Sequence, residues 1–177
     1  MKTLEQIGIH GIKEHIIRNW MTHDGMWFYH CLQAHGIEEA NRLNKAAIRS
    51  LSAMEIKRAL VLFGLDAQSI ESFEQVRKVI DAAFLVSCGD FMGFSYTFPR
   101  HNVLRWEFAD KACFAYRGMQ RMGVVDRYEC GVLYRVCCWL DHVGVRYAAS
   151  RDITGCLMDE TGTCSGELRF QFAEPGA

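Results

Sequence analysis

Three cysteines in the last third of the chain have the residue type and the placement to bind one metal ion. Cys130 lies at the start of a predicted helix, whereas Cys156 and Cys164 bracket a polar segment, 157–163, that has the composition of a turn. Zinc prefers thiolate ligands, so three converging thiols predict a zinc site. The 25 and 7 intervening residues differ from the Cys-x-x-Cys spacing of a zinc ribbon, however, so buried core thiols are the alternative.

A second candidate site is formed by His23, Asp24 and Trp27 in the N-terminal half. Positions 23 and 27 lie on one face of a predicted helix. A histidine beside an aspartate can transfer protons or bind an anion, so these residues are candidates for contacts with a ligand. The alternative is that Asp24 is the N-cap of a helix, because aspartate is a preferred N-cap residue.

Large apolar residues alternate with small or polar ones from residue 92 to residue 108, with a turn at 99–102. Period-two alternation indicates a half-buried β-hairpin. Its apolar face must either be covered by helices or line a cavity. We predict that Phe94, Tyr96 and Trp106 form the wall of a pocket for a small molecule.

The remaining elements are predicted from capping signals and periodicity. Residues 3–86 have helical patterns, with capping boxes at 3–6, 52–55 and 72–75 and a helix end at Gly64. Two further helices are predicted at 110–122, capped by Asp110, and at 127–143, and two further strands at 146–154 and 167–172. The pattern predicts an α+β fold in which the helices at 110–122 and 127–143 cover one face of a four-stranded antiparallel sheet. The chain is expected to be a single domain, with a helical part (1–88) and an α+β part (89–177).

Composition limits the function. The chain of 177 residues is half apolar and has a formal net charge of −1, with Lys and Arg dispersed, so no nucleic-acid-binding surface is expected. No apolar run approaches the ~18 residues of a membrane span. The first residues lack the apolar segment of a signal peptide, so we expect a cytoplasmic protein with reduced thiols.

The cysteine pattern of Cys130, Cys156 and Cys164, followed by the sequence Leu-Arg-Phe-Gln-Phe at 168–172, resembles the end of a 4-vinyl reductase domain. Domains of that family share a fold with TRAPP subunits and serve as sensors of small aromatic ligands. The resemblance therefore implies a ligand pocket and a structural zinc held by the three cysteines. The fourth ligand of the phenol-sensing members, a glutamate, corresponds to Ile153, which cannot bind a metal.

The cysteines, together with Cys113 and Gly123, also resemble a family of uncharacterised cytosolic proteins of anaerobic bacteria, and distantly the L-2-amino-thiazoline-4-carboxylic acid hydrolases. The similarity extends into the helical half through His23-Asp24-x-x-Trp27. We therefore expect a small-molecule-binding protein with a cysteine-bound structural metal. The alternative is a hydrolase of a small heterocycle or amide that uses a metal-bound water or a thiolate. TRAPP subunits dimerise, so the resemblance also implies that the chain forms a homodimer.

Overall fold

The computed structural model describes residues 1–65 and 70–173, which form an α+β fold with helices packed around one antiparallel sheet. This confirms the fold class predicted from the sequence. The elements follow in the order α1 (Leu4–His35), α2 (Ile37–Phe63), α3 (Phe73–Ser87), β1 (Phe94–Arg100), β2 (Val103–Phe108), α4 (Phe114–Met122), α5 (Gly131–His142), β3 (Tyr147–Ala149), α6 (Leu157–Thr161) and β4 (Cys164–Phe170).

Two of the predicted capping boxes begin helices in the structure. At the start of α1, the hydroxyl of Thr3 accepts from the backbone N–H of Gln6 at 3.3 Å, while the Gln6 side chain accepts from the Thr3 N–H at 3.0 Å. Ser72 and Gln75 make the same reciprocal pair before α3. Gly64 ends α2 in the left-handed conformation, as predicted.

The third capping box and the helix start considered at Asp24 are wrong. Ser52 lies inside the uninterrupted α2, where its buried hydroxyl donates to the backbone oxygen of Ile48 at 2.7 Å instead of capping a helix. Asp24 is not an N-cap either, because α1 continues through it to His35. The break in α1 lies at Gly8, whose φ of 71° is outside the helical region.

The four strands are hydrogen-bonded in the order β1-β2-β4-β3, and all neighbours are antiparallel. The strand predicted at 146–154 is shortened to β3, because the carboxylate of Asp152 accepts from the backbone N–H of Thr154 at 2.9 Å and forms a local turn. The strand predicted at 167–172 begins earlier, at Cys164. The segment 157–163, predicted to be a turn, contains the short helix α6.

Helices cover one face of the sheet. The sequence predicted that the helices at 110–122 and 127–143 form this cover, but α3 also takes part. Phe84 of α3 packs against Phe94 and Tyr96 of β1 and against Trp139 of α5. Asp110 does not start α4, because the next residue, Lys111, adopts a φ of 52° and prevents a helix there. Within the described residues, no helix is both long enough and apolar enough to cross a membrane.

Candidate functional site: a cavity between the sheet and the α1 and α4 helices

A cavity of about 640 Å³ lies between the covered face of the sheet and α1, α4 and α5. Strands β1, β2 and β4 provide one wall, and the middle of α1 and nearly all of α4 provide the opposite wall. Residues of α5 close a third side. The volume falls within the range of about 300–1,000 Å³ that is typical of small-molecule sites.

The sheet wall is apolar because the hairpin alternates as predicted. Leu104, Trp106 and Phe108 are buried at alternate positions of β2, and Phe94 of β1 pairs with Phe108. Trp106 also faces Gly166 of β4 in the sheet register. A Cβ atom at position 166 would lie 2.5 Å from the indole ring, so only glycine leaves room for Trp106 at this place.

The indole N–H of Trp106 lies behind this wall and is not accessible from the cavity. Its side chain is 3% exposed, and its indole N–H has no hydrogen-bond partner among the residues that the structure describes. The N–H lies near the Cys164 thiol and partly offsets the rise in the pKa of that thiol. The two groups do not have the geometry of a hydrogen bond, however.

The structure places three of the six predicted ligand-binding residues at the cavity. Phe94, Trp106 and Asp24 line it. Tyr96 packs on Phe84 instead, and its hydroxyl donates to the carboxylate of Asp81 at 2.8 Å. Burial and this hydrogen bond raise the pKa of Tyr96.

His23 and Trp27 are not part of the cavity lining. Both are exposed, with Trp27 63% exposed, and their rings meet edge to face at 6.5 Å on the outer side of α1. The structure therefore separates these two residues from Asp24, although the three are neighbours in sequence.

The most buried charge at the cavity belongs to Arg135 of α5, which the sequence reasoning missed. Its guanidinium lies 3.4 Å from the carboxylate of Glu55 and 3.8 Å from that of Asp24, and it stacks on the ring of Trp20 at 4.5 Å. Glu55 also accepts from the indole N–H of Trp139 at 3.1 Å. The sequence could have indicated this site, because Arg135 is the one arginine of the largely apolar α5 and buried charges have partners.

The predicted metal ligands lie at the ends of secondary-structure elements. Cys130 is the N-cap of α5 and Cys156 is the N-cap of α6, whereas Cys164 opens β4 opposite Phe108. The backbone N–H of Cys130 donates to the oxygen of Thr154 at 2.8 Å, which holds the two loops together. Cys113, the N-cap of α4, interacts electrostatically with all three thiols and is a fourth member that spacing alone did not reveal.

The four thiols suit a soft metal in their chemistry, but their present arrangement does not fit one. Sulfur atoms that share a zinc ion at ~2.3 Å must lie within about 4 Å of one another. Among the described residues, ligand atoms of three or more His, Cys, Asp or Glu side chains lie within 4.8 Å of one another only at the largely exposed group of His10, Glu14 and Asp90. Zinc at Cys130, Cys156 and Cys164 therefore stays a prediction, which metal analysis of the purified protein tests.

The same cysteines are poor nucleophiles as free thiols. Burial raises the pKa of Cys130 to about 12, and burial together with the neighbouring cysteines raises the pKa of Cys164 to about 12. Such thiols are protonated near neutral pH, whereas a nucleophilic cysteine acts as its thiolate. This arrangement disfavours the thiolate form of the hydrolase alternative.

Residues 3–85 match the model of a family of unknown function, DUF6125. The match covers α1, α2 and most of α3, less than half of the chain, and includes Asp24 and Glu55 but none of the strands. Comparison with curated proteins and with solved structures gives no match.

Proposed function

We propose that the protein binds a small apolar or aromatic molecule in the cavity beside the sheet. The observation that carries this proposal is the solvent-open cavity of about 640 Å³ beside a wall of Phe94, Trp106 and Phe108. This volume is in the range of small-molecule sites, which are concave and lined mostly by apolar side chains.

The residues around the cavity support a ligand rather than a filled core. Aromatic side chains on the sheet wall offer contact area to an apolar molecule, and the arginines that line the cavity offer polar contacts. Sites for small molecules characteristically combine such apolar walls with a few polar groups that fix orientation.

Gly118 provides a test that does not disturb the core. This residue of α4 lines the cavity, and a Cβ atom built on it meets no atom within 4 Å. Leucine at this position therefore projects into the cavity and fills part of it. Replacing a helical glycine also raises the intrinsic stability of the helix, by up to ~1 kcal/mol.

The experiment is a fluorescence titration with N-phenyl-1-naphthylamine, a neutral aromatic probe, with energy transfer from tryptophan as the readout. We expect the wild-type protein to bind the probe and Gly118→Leu to bind it about tenfold more weakly, with an unchanged or higher melting temperature. Gly118→Ala is the matched control and should bind within about twofold of the wild type. Equal binding by all three proteins, or no binding by the wild type, would contradict the proposal.

A further inference from the structure

We propose that the molecule bound in the cavity carries an anionic group, and that Arg18, Arg117 and Arg121 hold this group where α1 and α4 face each other. The ligand would be an amphiphile with an apolar body and one acidic head, such as a carboxylate. This inference rests on the proposed function and assigns a chemical class to the ligand.

The first observation is the spacing of residues along α4. Arg117 and Gly118 each lie three or four residues from both Phe114 and Arg121, so the four residues share one face of the helix, and all of them line the cavity. Gly118, between the two arginines in sequence, has no other atom within 4 Å of where a Cβ would lie, so this part of the face is open. An anionic group can therefore approach both arginines from the cavity.

The second observation places Arg18 on the same side of the cavity. Its guanidinium stacks over the ring of Phe91 at 4.1 Å, and Phe91 meets Phe114 edge to face at 6.4 Å. Phe114 begins the cavity face of α4. The stacking holds Arg18 of α1 beside that face, because an arginine over an aromatic ring is attracted by the ring's electron density.

The third observation is an excess of positive charge. Four arginines line the cavity, but Asp24 is the one carboxylate there, and it is paired with Arg135. Within residues 1–65 and 70–173, no carboxylate lies within 4.0 Å of Arg18, Arg117 or Arg121. All three arginines line the cavity but are exposed to solvent, so water and salt screen their positive field and it acts over short distances.

The charge and the shape together favour one kind of ligand. A neutral apolar molecule would fit the sheet wall but gain nothing from the positive charge of the three exposed arginines. A small inorganic anion would satisfy the arginines but leave most of the apolar volume without contacts. An amphiphilic anion matches both parts of the site.

The test compares two probes with the same aromatic body. One is 1-anilinonaphthalene-8-sulfonate, an anion, and the other is N-phenyl-1-naphthylamine, which lacks the sulfonate. We expect Arg117→Gln and Arg121→Gln to weaken binding of the anionic probe about threefold to fivefold each, and the double variant about tenfold or more. Binding of the neutral probe should stay within about twofold in all of them.

Two controls separate charge from structure. The double variant Arg117→Lys and Arg121→Lys keeps both charges and should retain most of the affinity for the anionic probe. Arg58→Gln removes an exposed arginine of α2 that does not line the cavity, and should change neither titration. Raising the salt concentration should weaken binding of the anionic probe and leave the neutral probe unaffected.

Each outcome decides one of the two proposals. Equal loss of both probes in the glutamine double variant, or no loss of either, would overturn the anionic ligand while leaving cavity binding intact. Binding of the anionic probe that Gly118→Leu does not weaken would place that probe outside the cavity and overturn the inference as well. Failure of the neutral probe to bind the wild type would instead contradict the proposed function.

Discussion

The two walls of the cavity are built in different ways. The wall formed by the sheet and α5 is part of the core: six of the twelve residues of α5 are buried, as are four of the six residues of β2. The opposite wall has few anchors, since α1 buries Ile17 and Phe28 among its 32 residues and α4 buries Tyr116 and Met119 among nine. The packed wall therefore fixes the shape of the cavity, whereas the lightly packed wall carries three of the four arginines.

The contrast suggests a division between stability and ligand selection. Residues of the packed wall cannot change without disturbing the core, because interiors are closely packed. Residues of the α1 and α4 wall can change charge or size at a smaller cost in stability, since most of their surface is already in contact with solvent or with the cavity. Selectivity for a ligand is therefore expected to depend on the second wall.

The largest difference is expected between two tryptophans. Trp106→Ala should lower the free energy of unfolding by about 3–5 kcal/mol, because it removes a large side chain from the packed wall. Trp27→Ala should change it by less than about 0.5 kcal/mol, because Trp27 is 63% exposed on α1. Urea denaturation of both variants measures the two values, and similar losses would show that the two walls are equally packed.

The two carboxylates beside Arg135, those of Glu55 and Asp24, should also differ in how much they stabilise the protein. Glu55→Gln should lower the free energy of unfolding by about 2–3 kcal/mol, because Glu55 is mostly buried and binds both Arg135 and the indole N–H of Trp139. Asp24→Asn should cost less than about 1 kcal/mol, because Asp24 is half exposed and 3.8 Å away. Thermal or urea unfolding checks both, and a larger effect at Asp24 would show that the ion pair with α1, rather than the one with α2, anchors Arg135.

Two glycines should respond to alanine with opposite signs. Gly166→Ala should destabilise the protein by about 1–3 kcal/mol, since its Cβ would meet the ring of Trp106. Gly118→Ala should stabilise it by up to about 1 kcal/mol, since its Cβ meets nothing and alanine favours helix. The melting temperatures of the two variants test this prediction. A higher melting temperature for Gly166→Ala would show that the packed wall can rearrange around the added methyl group.

The smallest effect concerns the outer side of the sheet, behind the packed wall. The hydrogen bond from Arg105 to Glu167, together with the charges of Arg100, Arg105 and Arg169, lowers the pKa of Glu167 below its ordinary value of 4.5. A carboxylate with a lowered pKa stabilises the fold above the unfolded-state pKa and loses this contribution as the pH falls through the folded-state pKa.

The wild type should therefore be more stable than Glu167→Gln near neutral pH, and the difference should shrink as the pH falls below about 4.5. Urea unfolding at several pH values measures it. Glu107→Gln, at an exposed position of β2 with no cation within 4.0 Å among the described residues, should show no such trend. A stability difference for Glu167→Gln that is the same at every pH would contradict the assignment.

The sequence predicted what depends on local patterns. The alternation from Phe94 to Phe108 gave the hairpin and its apolar face, and the capping boxes at Thr3 and Ser72 gave two helix starts. It failed where tertiary contacts decide: Asp24 was a convincing N-cap by type, yet it lies within α1 and pairs with Arg135 of α5. The spacing of Arg117 and Arg121 was also visible, but which face of α4 borders a cavity depends on how the helices pack.

The sparse anchoring of α1 has a consequence for the exchange of its backbone amide hydrogens with solvent. A helix with two buried side chains in 32 residues detaches locally at a lower free energy than a core helix such as α5, so its amides should exchange faster. A molecule in the cavity contacts the middle of α1 and adds to this sparse anchoring. We therefore expect a bound molecule to slow the exchange of the amides of α1.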